Sequence, residues 1–106
     1  MKNMKDLKCG GKMYVILVYD INLEHKEGHK ILRNVFKICK KYLVHIQNSV
    51  FEGELLESQA MKLKSELDKY IREDKDSVIL FKSRNQKWME KEFLGMIEDD
   101  KTDNFL

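Results

Sequence analysis

Hydrophobic and polar positions divide the chain into clear segments. Tyr14 to Asp20, YVILVYD, runs apolar or aromatic for six positions and then closes on an acid. It lacks polar alternation, which predicts a central strand buried on both faces. Residues 21–28, INLEHKEG, form a polar connection. Over 29–43 the spacing turns helical. At about 100° per residue, Ile31, Leu32, Val35, Phe36, Ile38, Cys39, Tyr42 and Leu43 share one side, and Lys30, Arg33, Asn34, Lys37, Lys40 and Lys41 take the other. Residues 44–51, VHIQNSVF, read as strand, with EGEL either extending it or opening a second one. A second helix is predicted over 57–72, with Ala60, Leu63, Leu67, Tyr70 and Ile71 inward. SVILFKS, 77–83, is a further strand, and WMEKEFLG, 88–95, reads as one more.

The order strand, helix, strand or strands, helix, strand predicts an α+β domain, and the ferredoxin-like βαββαβ sandwich fits best. The last strand has no place in such a sheet and suits a partner subunit. Residues 1–12, MKNMKDLKCGGK, read as a basic flexible leader, and 13–106 as one domain whose C-terminal strand and tail engage a partner.

Composition changes this picture little. The 106 residues and 42% hydrophobic content suit one core, and 20 basic against 18 acidic residues leave a net +2, so charge is read locally. Residues 20–48 carry six basic and three acidic side chains, whereas 52–76 carry five and eight. Cys9 and Cys39 are too few for a disulfide framework and read as free thiols of a cytoplasmic protein. No apolar run nears the roughly 20 residues of a membrane span.

Candidate chemistry starts at Asp20. A carboxylate at the mouth of a buried strand suits Mg²⁺, a hard cation that activates water and offsets phosphate charge; an Asp opening a turn fits the same pattern. The HKEGH stretch departs from the zinc-binding H-E-x-x-H spacing and reads better as a solvated helix entrance. Lys30, Arg33, Lys37, Lys40 and Lys41 form an arc of one sign, equally readable as a solvated face or as a grip on a nucleic-acid backbone. Gln47, Asn48 and Ser49 read as half-exposed strand positions, or as polar groups near Asp20 should the two strands be neighbours. Trp88, Met89 and Phe93 read as core or dimer contacts. Gly-rich phosphate loops and cysteine clusters are absent from the sequence, which disfavours P-loop enzymes and zinc fingers.

Taken together, YVILVYDI, the basic first helix, and IQNSVFEGEL before a Lys/Glu-rich helix resemble the CRISPR-associated protein two family, from about Met13 to the end. DSVILFKSR and the closing FLGMIEDDKTDNFL are similar to that family's late strand and C-terminal segment. The resemblance implies a ferredoxin-like homodimer in which Asp20 of each protomer holds Mg²⁺, with Mn²⁺ as the alternative ion. It implies metal-dependent endonuclease activity on RNA or DNA. It also implies a place in spacer acquisition, as the subunit that bridges the CRISPR integrase. Tyr19, Ser49 and Phe51 match the family's motif positions, and Arg33 its basic position on the first helix. A purely structural DNA-binding scaffold without catalysis is the alternative.

Overall fold

The structure is a computed structural model that describes residues 11–84 and 90–95. Its elements are β1 (Met13–Asp20), α1 (Lys26–Tyr42), β2 (Val44–Gln47), β3 (Val50–Leu55), α2 (Glu57–Asp68) and β4 (Ser77–Ser83). The sheet order is β2-β3-β1-β4 with every neighbouring pair antiparallel. This is the ferredoxin-like arrangement expected for βαββαβ.

Both helices lie on one face of the sheet. Val15, Leu17 and Tyr19 of β1 pack there with Ile31, Val35 and Ile38 of α1 and Ala60, Leu63 and Leu67 of α2. Alternation sends Ile16, Val18 and Asp20 to the opposite face. That face has no helix among the described residues, and β4 adds Ile79 and Phe81 to it, 51% and 50% exposed. Burial of β1 is therefore complete only on the helix side of this chain; on the other face Tyr14 is buried but Ile16 and Val18 are half-buried and Asp20 is exposed.

Helix α1 begins at Lys26, three residues before the expected start at His29. Gly28 explains the early start. A Cβ there would sit 2.0 Å from the Asn22 carbonyl oxygen, so only glycine lets the first turn pack under that loop. The helix stops when Leu43 turns extended and donates its N–H to the Cys39 carbonyl at 2.8 Å. Helix α2 ends at Asp68, short of the expected Arg72. The Arg72 N–H instead donates to the Asp76 carboxylate at 2.9 Å, outside any helical ladder.

The segment 44–55 is two strands, not one, and the break falls at Asn48 and Ser49, ahead of EGEL. Asn48 has φ of +40°, a left-handed conformation that asparagine tolerates better than most residues. The pairing also slips one residue between His45 and Gln47.

Glu90–Gly95 make no sheet pairing, so the strand expected over 88–95 is not formed in its described part. The two outer strands of the sheet, β2 and β4, each pair on one side only among the described residues, and Glu90–Gly95 joins neither edge. Lys91 instead ion-pairs with Glu52 on the helix-free face, and Phe93 is 37% exposed. Cys9 and most of the expected leader, Trp88 and Met89, and the acidic tail 96–106 lie outside the described residues. Cys39 is free and buried, and burial pushes its thiol up to about 12.

Candidate nucleic-acid and metal site

Asp20 is exposed at the end of β1, in register with Ser77 of β4. The loop that follows it is held from below. The Asp76 side chain is fully buried and accepts from the Asn22 N–H at 2.9 Å, from Arg72 Nε at 2.8 Å and from Arg72 Nη2 at 2.9 Å. Arg72 Nη2 also donates to the Asn22 carbonyl at 2.8 Å, and Nη1 reaches Glu27 at 3.5 Å. The Arg72 guanidinium holds the Asp76 carboxyl down at about 2, against the upward push of burial. The two residues clamp the start of the β1–α1 loop two positions beyond Asp20. In the sequence Arg72 reads as the last residue of the second helix and Asp76 as part of the turn after it; an Arg and an Asp four apart at a helix exit were the one available signal.

No group of three or more His, Cys, Asp and Glu gathers to hold a metal among the described residues. One exposed carboxylate fits a hard divalent cation that keeps most of its waters, but it is a partial ligand set. His25 and His29, both exposed at the start of α1, gather no further ligand.

The five residues of the expected basic arc, Lys30, Arg33, Lys37, Lys40 and Lys41, are all exposed on α1, yet their surroundings differ. Lys41 ion-pairs with Glu66 of α2, whose carboxylate also accepts the Tyr42 hydroxyl. That pairing raises the Lys41 ammonium and lowers the Glu66 carboxyl from their ordinary values. Lys40 stands 5.8 Å over the Phe36 ring. Lys30, Arg33 and Lys37 ion-pair with none of the described residues. The one-sign arc of the sequence is thus split: its C-terminal end is neutralised by the neighbouring helix, and its middle stays open.

That middle borders an open groove of about 540 Å³ between α1 and the β2–β3 turn. Tyr19, Leu32 and Phe36 form its wall, and Arg33, Lys37, Asn48 and Ser49 its polar rim. β1 and β3 are neighbours, and the Tyr19 N–H donates to the Ser49 carbonyl at 3.1 Å, so the polar turn does stand beside the end of β1. Phe51 is fully buried behind the groove, 6.0 Å from the Tyr19 ring, 5.5 Å from Phe36 and 4.9 Å from His45. Burial, with the nearby Cys39 adding to it, pushes the Tyr19 hydroxyl up to about 12, so it stays protonated and does not act as a base at neutral pH. Tyr19 and Asp20, adjacent in β1, point to opposite faces. Groove and carboxylate share one end of the sheet but not one surface.

Comparison with known proteins supplies the rest. The family model described as CRISPR associated protein Cas2 matches residues 13–91. The CRISPR-associated endoribonuclease Cas2 of Fusobacterium nucleatum is 61% identical over 106 residues, taking in 99% of this chain and 98% of that protein. The CRISPR-associated endoribonuclease Cas2 2 of Moorella thermoacetica is 41% identical over 92 residues, 87% of this chain and all of that protein. Among solved structures, Streptococcus pyogenes Cas2 at pH 6.5 superposes with a TM-score of 0.68 at 35% identity, covering 77% of this chain and 99% of that one. Another Cas2 crystal structure gives 0.71 at 35% identity, covering 83% and 92%. With this sheet order, the Tyr19-Asp20-Ile21 strand end and the family match across most of its length, the chain belongs to the Cas2 family of CRISPR-associated proteins.

Proposed function

We propose that this chain is a metal-dependent endonuclease subunit that works as a homodimer in CRISPR adaptation. The carrying observation is the helix-free sheet face, where exposed Ile79 and Phe81 lie on the same surface as exposed Asp20. Exposed apolar side chains of this kind favour burial against a partner. A twofold pairing over this face brings one Asp20 from each copy to a common seam and completes what a single carboxylate begins. The two carboxylates would hold Mg²⁺, or Mn²⁺ in its place. The ion supplies charge neutralisation and a more acidic water at the scissile phosphate.

The chain's own residues do the rest. Lys30, Arg33 and Lys37 hold the phosphate backbone without reading bases, Lys40 extends that track, and Lys41 joins it only by giving up its ion pair with Glu66. The Arg72–Asp76 clamp keeps the loop after Asp20 from shifting. The relatives named as endoribonucleases support RNA as the substrate; DNA is the partner expected in spacer acquisition, where the dimer would bridge the integrase through its late C-terminal segment. All of this belongs in the cytoplasm.

A second reading, a DNA-binding scaffold without catalysis, is favoured by the single carboxylate at the strand end. Asp20→Asn separates the two. The purified dimer cuts a labelled single-stranded RNA with Mg²⁺ or Mn²⁺ and the variant does not, while both bind it equally. Absence of divalent-dependent cutting by the unaltered protein overturns the nuclease reading and leaves the scaffold.

A further inference from the structure

The reading above uses only Arg33 and Lys37 from the rim of the groove between α1 and the β2–β3 turn and gives its apolar recess no role. Its composition is specific. The wall is apolar and aromatic, the rim carries two cations, and no acid lines it. Its volume, about 540 Å³, falls within the roughly 300–1,000 Å³ common for small-ligand sites. A solvated helix face needs no apolar recess, and a site for inorganic phosphate alone needs no aromatic wall. The occupant that satisfies both parts has a flat apolar portion and an adjoining anion.

We propose that the groove receives one unpaired nucleotide, its base against Leu32 and Phe36 and its phosphate toward Arg33 and Lys37. This rests on the nucleic-acid reading above and adds to it a subsite, on the helix side and away from Asp20, for one unpaired nucleotide of the strand. Aromatic walls take any base, because every base has a π-face, so the site reads strandedness and not sequence. Asn48 and Ser49 complete the rim. The left-handed Asn48 holds the turn in the shape that brings both residues there. His45 and Phe51 back the Phe36 ring at 5.0 and 5.5 Å, which fixes its orientation before any ligand arrives. The groove lies on the helix side, so pairing over the helix-free face leaves it open.

The test uses the full chain. Uridine 5′-monophosphate, ribose 5-phosphate and inorganic phosphate are titrated separately against isotope-labelled protein and followed by amide chemical shifts. The proposal expects shifts confined to 32–37 and 48–49, with the nucleotide binding at least several-fold tighter than ribose 5-phosphate. Equal affinity for the three, or shifts spread along α1, overturns it and leaves a surface that senses charge alone. Phe36→Leu keeps an apolar wall but loses the ring. It is expected to weaken a short single-stranded oligonucleotide about tenfold and a fully paired duplex hardly at all. Equal weakening of both also overturns the site. The wild-type titration needs no variant, so misfolding of Phe36→Leu does not shelter the proposal. Divalent-dependent cleavage by a protein that ignores the mononucleotide refutes the groove and spares the nuclease; loss of all nucleic-acid binding refutes both.

Discussion

The two faces of the sheet are made by alternate residues of the same strands, yet they are finished to different degrees. On the helix side Val15 and Leu17 are 0% exposed and Phe51 is 0% exposed. On the other, Ile79 and Phe81 keep half their surface. One face is a complete core built from local segments; the other is apolar enough to need cover and lacks it among the described residues. Stability thus lives on one side, and the proposed pairing would use the other. The sharpest way to break this comparison is to truncate one phenylalanine on each. Phe51→Ala is expected to cost about 3–5 kcal/mol, the range for a large aromatic removed from a packed core. Phe81→Ala is expected to cost about 1 kcal/mol or less in dilute protein. Urea unfolding measures both, and similar losses would mean that the second face is already covered within one chain. Phe81→Glu then tests association directly. If the unaltered chain pairs over this face, light scattering should find it dimeric and the variant monomeric at the same concentration, with an unchanged far-ultraviolet circular dichroism spectrum.

The Arg72–Asp76 clamp lies where the two faces meet the Asp20 loop. Removing one partner of a buried, hydrogen-bonded ion pair leaves the other without its counter-charge, and Asp76→Ala is expected to cost about 3 kcal/mol. The same pair carries an acid signature. The folded Asp76 carboxyl sits at about 2, below its ordinary value of 3.8. Its contribution is therefore complete above about pH 4 and is lost as pH falls toward 2. The gap in unfolding free energy between the unaltered chain and Asp76→Ala should hold constant from neutral pH down to about 4 and shrink below it. A gap that stays constant to pH 2.5 would show that Asp76 is not held by its arginine.

How far the sequence went can be judged from these same residues. The apolar run of β1 and the helical spacing of α1 predicted the elements, because burial imposes periodicity on many residues at once. The ferredoxin-like order followed from them. Single tertiary contacts left no such trace. The early start of α1 depends on one close approach, Gly28 under Asn22, and the short α2 on one carboxylate that captures the Arg72 N–H. Lys41 read as part of a free cationic arc because its partner, Glu66, comes from a helix 25 positions away. Asp20 was legible as a candidate from where its strand ends, but what shares its face required the register of β4. The groove was legible only in pieces: Tyr19, Arg33, Asn48 and Ser49 were each singled out, and only the fold shows that they line one recess.

The smallest effect is the most discriminating for the helix-free face. Asp20 is exposed at a strand end, so Asp20→Asn should leave the stability of the single chain within about 0.5 kcal/mol. Its effect on pairing is different in kind. If the two copies meet over this face, two carboxylates approach one another. In chelator their repulsion at about 4 Å opposes association by about 1 kcal/mol if bulk water screens it and by up to about 4 kcal/mol at the effective dielectric of a protein surface. The amide variant removes that repulsion, so without divalent ion Asp20→Asn should dimerise several-fold more tightly than the unaltered chain. Added Mg²⁺ reverses the order, because the cation bridges the carboxylates and has nothing comparable to hold in the amide pair. Sedimentation equilibrium in chelator and in Mg²⁺ measures all four dissociation constants. A crossover locates the acids at the seam, whereas four constants indifferent to both substitution and ion place the two Asp20 side chains apart, and the face would then pair without building a metal site.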